Sequence, residues 1–177
     1  MPATADAIAI PQLETERLLL RGHQVKEFED YAAIWGDPVV TRYIGGRPLT
    51  REECWARLLR HIGHWSVLGH GYWAIEEKAS KRLIGELGFA QFKRDIQPVI
   101  EFPELGWLLS SAAHGKGYAT EAVRAALAWG DEHFAGGTTA CIIDPANRAS
   151  LGVAAKCGYR ELRQVTYKGH EITMLTR

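Results

Sequence analysis

A chain of 177 residues, 46% hydrophobic and 24% charged, has the length and composition of one domain with its own core. Its formal net charge of +0 offers no broad basic face for nucleic acid or an acidic membrane, and no run is apolar and long enough to span a bilayer. The three cysteines Cys54, Cys141 and Cys157 are odd in number and lack CxxC spacing, which argues against a disulfide framework or a cysteine zinc site and for a reduced, cytoplasmic protein.

Residues 1–12 carry no core pattern and no secretory signal, and are expected as a loose tail before one domain over residues 13–177. Leu18-Leu19-Leu20 predicts a first strand. Phe28, Tyr31, Ala32, Ile34 and Trp35 recur at helical spacing until Gly36-Asp37-Pro38, where proline disfavours a helical residue before it. Thr50 with Glu53 reads as a capping box, opening a helix with Trp55, Leu58, Leu59 and Ile62 on one face. Strands are expected at residues 72–75, 83–92 and 100–109. A Gly-rich turn over residues 115–118 leads to a helix over 120–134, with Ala122, Val123, Ala126, Leu127 and Trp129 facing inward. A strand at 139–143, a helix at 149–157 and a hairpin about Lys168-Gly169-His170 complete the order β-αα-βββ-α-β-α-ββ. No internal repeat is visible.

The turn His114-Gly115-Lys116-Gly117-Tyr118-Ala119 has several readings. A Walker loop needs glycine at Ser110 and a hydroxyl at Gly117, and has neither. A dinucleotide fingerprint needs glycine where Thr120 stands and an early position in the chain. A pyrophosphate cradle uses the unpaired N–H groups of a helix start, with Gly115 and Gly117 letting phosphate reach the backbone and Lys116 adding charge. A plain strand-to-helix turn would also use glycine.

Glu104-Leu105-Gly106-Trp107-Leu108-Leu109, the Gly-rich string continued through Thr120-Glu121-Ala122, Asn147-Arg148-Ala149-Ser150 and Lys156-Cys157-Gly158-Tyr159 together resemble the GNAT acetyltransferase superfamily. They resemble its ribosomal-protein-alanine N-acetyltransferase branch in particular. The likeness runs from Glu14-Thr15-Glu16-Arg17-Leu18 to the last strand. It implies an α/β (α+β) fold: a mixed, mostly antiparallel sheet flanked by helices and splayed between its two central strands. It also implies acetyl-CoA as co-substrate. The cofactor arm would lie against main chain near Leu108 and Leu109, the pyrophosphate on His114, Gly115, Lys116, Gly117, Tyr118, Ala119 and Thr120, and Asn147 would touch the arm. His114 stands where the superfamily usually has glutamine or arginine.

Acetyl transfer needs a neutral amine, a donor for the oxyanion and a proton for the leaving thiolate. The protonating tyrosine of many superfamily members would fall at Ala154, and is absent. Ser150 is the substitute the resembled branch implies, and its alternative is a capping hydroxyl. Glu104 is the candidate base, with Glu101 and Glu86 behind it, and the alternative for each is a solvated strand charge. His61, His64 and His70 have no carboxylate or cysteine partner at metal-site spacing, so no metal is expected and ordinary surface or packing roles are preferred, with the acceptor-pocket wall as the alternative. Trp35, Tyr43, Trp55, Trp65 and Tyr72 are candidate pocket aromatics, with core packing the favoured role for any one of them. The expected activity is direct acetyl transfer to a primary amine, a protein N-terminus or small amine, by a monomer or homodimer. The rival is a non-catalytic CoA-binding module.

Overall fold

The computed structural model describes residues 9–177. The strands are β1 (Leu13–Glu14), β2 (Leu18–Arg21), β3 (Tyr72–Glu77), β4 (Arg82–Ala90), β5 (Glu104–Leu109), β6 (Ala140–Ile143), β7 (Arg160–Tyr167) and β8 (His170–Thr176). The helices are α1 (Phe28–Trp35), α2 (Pro38–Thr41), α3 (Arg51–Leu68), α4 (Tyr118–His133) and α5 (Arg148–Lys156). One eight-stranded sheet runs in the order β1-β2-β3-β4-β5-β6-β8-β7. Neighbours are antiparallel except β5 and β6, which are parallel and paired only at Glu104 and Ala140. Beyond that point the two strands part, which opens the sheet in its middle. The mixed, mostly antiparallel, splayed sheet is the fold the resemblance implied.

Helices cover both faces, so the inner strands are buried on both sides rather than alternating between core and solvent. Trp73, Leu87, Phe89, Leu105 and Leu109 pack with Ala122, Val123, Ala126 and Leu127 of α4. Ala74, Leu83 and Leu108 pack with Tyr31, Ile34 and Trp35 of α1 and with Cys54 and Leu58 of α3. Each side chain as fully buried as Trp73, Phe89 or Leu87 contributes about 1.5–3 kcal/mol.

The Thr50 box caps α3: Thr50 Oγ1 accepts from Glu53 N at 3.2 Å, and Glu53 Oε2 accepts from Thr50 N at 2.8 Å. The buried stripe of this helix differs from the expected one. Cys54, Leu58, His61 and Trp65 face the sheet, whereas Trp55 and Leu59 are 39% and 46% exposed. The apolar pattern counted His61 as polar, but a hydrogen bond from another element lets it sit inside.

Strand β5 begins at Glu104 and not near residue 100, because Pro103 has no N–H to give to a ladder. Helix α4 begins at Tyr118, earlier than expected, with Gly117 as its cap residue. Lys168 and Gly169 both have positive φ (52° and 81°), the turn geometry that matches strand twist in the final hairpin. Part of the expected tail, residues 1–8, lies outside the described residues. Residues 9–12 depart from the expected looseness: Ile10 packs on the core and Pro11 O accepts from Trp73 Nε1 at 2.8 Å.

Candidate active site

The end of β5 passes through a short 3-10 turn at Ser111–Ala113 into the Gly-rich segment and α4. Gly115 and Gly117 have φ of +75° and +81°, values that side-chain-bearing residues rarely adopt. A Cβ at Gly115 would meet no atom within 4 Å, so the turn faces open space. Among the described residues the main-chain N–H groups of 115–120 find no acceptor, and Glu121 N, bonded to Gly117 O at 3.1 Å, is the first to be paired. These free donors stand at the positive end of the helix dipole, an arrangement that suits an anion.

The segment is braced from outside. Arg17 Nη1 donates to Lys116 O at 2.9 Å, Arg17 Nε donates to Glu121 Oε2 at 2.7 Å, and the guanidinium lies 4.5 Å over the Tyr118 ring. Glu121 Oε1 also accepts from Thr15 Oγ1 and Arg17 N, and Tyr118 OH donates to Glu77 at 2.6 Å. The Tyr118 side chain therefore points away from the cradle and only its amide faces it. His114 Nε2 lies 3.0 Å from Leu109 O, tying the cradle to the end of β5. Lys116 is exposed and forms no ion pair among the described residues. No role had been assigned to Arg17 or Glu121 from sequence, although both stand in the segments that carry the resemblance.

Where β5 and β6 separate, a cleft of about 810 Å³ opens. Trp107 and Leu108 line one wall, and Cys141, Ile143, Asp144, Asn147 and Ser150 line the other. Ser110 N bonds to Ile84 O at 2.8 Å, and Leu108 stands opposite Glu86. Hydrogen-bonded and free positions alternate along a strand. The main chain of Leu108 is therefore spent on β4, while that of Trp107 and Leu109 faces the opening. Leu108 brings its side chain to the site, Leu109 its main chain, and Trp107 is the position sequence reasoning passed over. Opposite, Asn147 Oδ1 accepts from Ser150 N at 3.1 Å and caps α5. Capping is thus the work of Asn147, and the half-buried Ser150 hydroxyl borders the cleft with no hydrogen bond to the described residues. Ala154 is fully buried against the sheet.

The carboxylates differ sharply. Glu104 is buried and held in a two-pronged ion pair by Arg94, with Nη2 and Nε at 2.7 and 2.8 Å, and Arg94 also donates to Tyr167 OH at 3.1 Å. Glu101 is exposed on the loop before β5 and not on the sheet, because the ladder starts only after Pro103. Glu86 is buried and no solvated strand charge: His61 Nδ1 lies at 2.9 Å, His23 Nε2 at 3.3 Å, Arg57 Nε at 3.5 Å and Trp35 Nε1 at 3.2 Å. Burial works against its charge, but the surrounding His61 and His23 hold the carboxyl well below the usual range. Burial pushes His61 down to about 4, against the pull of Glu86, so at neutral pH the ring is uncharged and donates to the carboxylate.

His61 therefore has the carboxylate partner that spacing along the chain did not reveal, because it comes from another element. His23, His61 and Glu86 each place one donor atom within 4.8 Å of the others, close enough to hold a metal ion. The Arg57 guanidinium beside Glu86 supplies a competing positive charge. His64 stands apart on the cleft wall, and His70 is buried elsewhere against Phe134. Trp35, Tyr43 and Tyr72 line the cleft, Trp65 lies in the core donating to Tyr72 O, and Trp55 sits on the outer surface against Phe28.

A sheet opened at one parallel seam, with unpaired main-chain N–H groups at the exit of the splayed strand, is the arrangement the resemblance implied. The chain belongs to the GNAT acetyltransferase family, whose acetyltransferase (GNAT) domain matches residues 17–160. It is similar to the uncharacterized protein YkkB of Bacillus subtilis (strain 168), with 32% identity over 83% of this chain and 84% of that one. An acetyltransferase from Agrobacterium tumefaciens str. C58 superposes with a TM-score of 0.80 at 29% identity, over 96% of this chain and 95% of that one. A spermidine N-acetyltransferase from Vibrio cholerae, solved with CoA and spermine, shares the fold with a TM-score of 0.72 at 15% identity, over 92% and 96% of the two chains.

Proposed function

We propose that this protein moves the acetyl group of acetyl-CoA directly to a primary amine, with residues 13–177 acting as one domain in the cytoplasm. The observation that carries this reading is the row of unpaired N–H groups from residue 115 to 120 beside the open seam. Pyrophosphate would sit on those amides and the pantetheine arm along Trp107 and Leu109. The bound CoA of the Vibrio cholerae enzyme supports the same donor here.

The amine nitrogen attacks the thioester carbon, the C–S bond breaks, and the thiolate leaves. A β5 main-chain N–H at the seam would stabilise the oxyanion, since donors fixed in place cost no reorganisation at the moment of reaction. Ser150, whose hydroxyl has no hydrogen bond to the described residues, would donate to the departing thiolate and take a proton from water in the same step, so that the thiol forms and the serine ends as a hydroxyl. Glu104 would take the amine proton through water, once Arg94 yields part of its grip. The buried Cys141 has its thiol pushed up by burial, which makes it a poor nucleophile and favours direct attack over an acetyl-enzyme.

With an amine panel and thiol release as readout, Ser150→Ala and Glu104→Gln are each expected to lower kcat about 100-fold, within the usual range for general acid–base groups. The KM for acetyl-CoA should stay near wild type. Unchanged kcat in both variants would remove these roles. A non-catalytic CoA-binding module is the second reading, favoured by the buried Ala154 and by the ion pair that occupies Glu104. It predicts CoA binding with no thiol release for any amine.

A further inference from the structure

We infer that the acceptor amine carries an anionic group, a carboxylate or a phosphate, held by Arg57 and Arg60 with Arg42 at the rim of the cleft. The inference rests on the acetyl-transfer reading and names the acceptor class for it.

All three arginines line the cleft beside α1, α2 and α3. The Arg57 guanidinium stacks on Trp35 at 3.8 Å, its side chain is only 22% exposed, and its Nε is buried with no hydrogen-bond partner. Among the described residues the one acid within ion-pair distance is Glu86, at 3.5 Å, and that carboxylate already accepts from His61 and Trp35. Arg60, one helical turn on, leans over Phe92 at 5.2 Å and has no acid within ion-pair distance among the described residues. Arg42 leans over Tyr43 at 5.2 Å and is likewise unpaired there.

The acids nearby are committed. Glu53 pairs with Arg47 at 2.5 Å and Glu104 with Arg94 at 2.7 Å. Asp144, just after β6, and Glu171 of β8 line the cleft from the sheet side, not from the helical side. Among the described residues the helical wall thus keeps Arg60 and Arg42 without an ion-pair partner, and Arg57 shares the single Glu86 carboxylate with His61, His23 and Trp35. Stacked guanidinium forks suit planar carboxylates and phosphates, which take two parallel hydrogen bonds. The same wall repels a polyamine, whose second ammonium would meet Arg57 and Arg60 without an acid to receive it.

Matched pairs decide the matter: the common amino acids against their carboxamides, glucosamine 6-phosphate against glucosamine, and Ser-Glu against Ser-Gln peptides, with spermidine alongside. Each is titrated into CoA-saturated protein by calorimetry and assayed for thiol release from acetyl-CoA. In at least one pair the anionic member should bind at least tenfold more tightly than its neutral partner, and which pair responds separates carboxylate from phosphate. Arg60→Gln, at an exposed position, should bring that ratio close to one, and Arg60→Glu should invert it. Preference for neutral members or spermidine overturns the inference, as does a preference that survives both Arg60 variants, or the absence of binding by every amine while CoA still binds. Loss of CoA binding by the wild-type protein would instead strike the acetyl-transfer reading. Retained discrimination without thiol release would leave the arginine site standing and remove catalysis.

Discussion

Glu86→Leu is expected to cost about 3–5 kcal/mol of stability, a large share of the roughly 5–15 kcal/mol that holds a typical domain together. The substitution removes the acceptor for His61 Nδ1 and Trp35 Nε1 and the counter-charge for Arg57, and all three come from helices packed over the sheet. Leucine fills the volume but leaves buried donors without partners, which is the costly half of breaking such a pair. The urea midpoint measures this directly, and a drop equivalent to less than 1 kcal/mol would show that water satisfies the orphaned groups. The same cluster sets the acid limb of stability. His61 titrates near its ordinary 6.5 in the unfolded chain and at about 4 in the folded one, so as pH falls from 6.5 towards 4 the unfolded state gains a proton that the folded state refuses. Stability is therefore lost across that window, and His64 and His70, both lowered first by burial, add to the loss. Glu86 is depressed, so its contribution is complete above its ordinary 4.5 and is lost as pH falls below it. His61→Gln should flatten the limb between pH 6.5 and 4, read from urea midpoints at several pH values.

What could be read from the sequence was local. The Gly-rich turn, the Thr50 box and the final hairpin depend on residues within a few positions of one another, and each is found where spacing placed it. The arrangement around Glu86 is the opposite case. Its partners come from the loop before α1, from α1 and from α3, more than twenty residues away along the chain, and a histidine on a helix gives no sign that it will be buried. That single contact accounts for the misread face of α3. The bracing of the cradle is more remote still, since Arg17 and Glu121 are 104 residues apart. The orientation of the β5 main chain was not legible either: alternation along β5, fixed by the Ser110 bond to Ile84, is what turns Trp107 and Leu109 rather than Leu108 towards the opening. The engagement of Glu104 by Arg94 was invisible because Arg94 lies on the irregular segment before β5.

Gly117→Val is the strongest single test of the cradle, and is expected to weaken CoA binding about 100-fold, equivalent to roughly 2.7 kcal/mol. Gly117 holds φ +81° at the residue from which α4 starts. A β-branched residue cannot keep that conformation without strain of about 1–2 kcal/mol or more, so the backbone relaxes and turns the amides of 118–120 out of alignment. Because those amides and the helix dipole supply the anion site together, misalignment removes both at once. Gly115→Ala separates geometry from bulk. Its φ of +75° costs strain too, but its Cβ would enter empty space, so any loss of affinity beyond that strain reflects a methyl group standing where pyrophosphate should lie. Lys116→Ala, by contrast, should cost only a few-fold and mainly at low salt, since an exposed charge is screened within about 10 Å at 0.1 M ionic strength. Calorimetric titration of CoA into the three variants ranks them. If Lys116→Ala weakens binding as much as Gly117→Val, the lysine and not the main chain holds the anion, and the cradle as drawn from the unpaired amides is wrong.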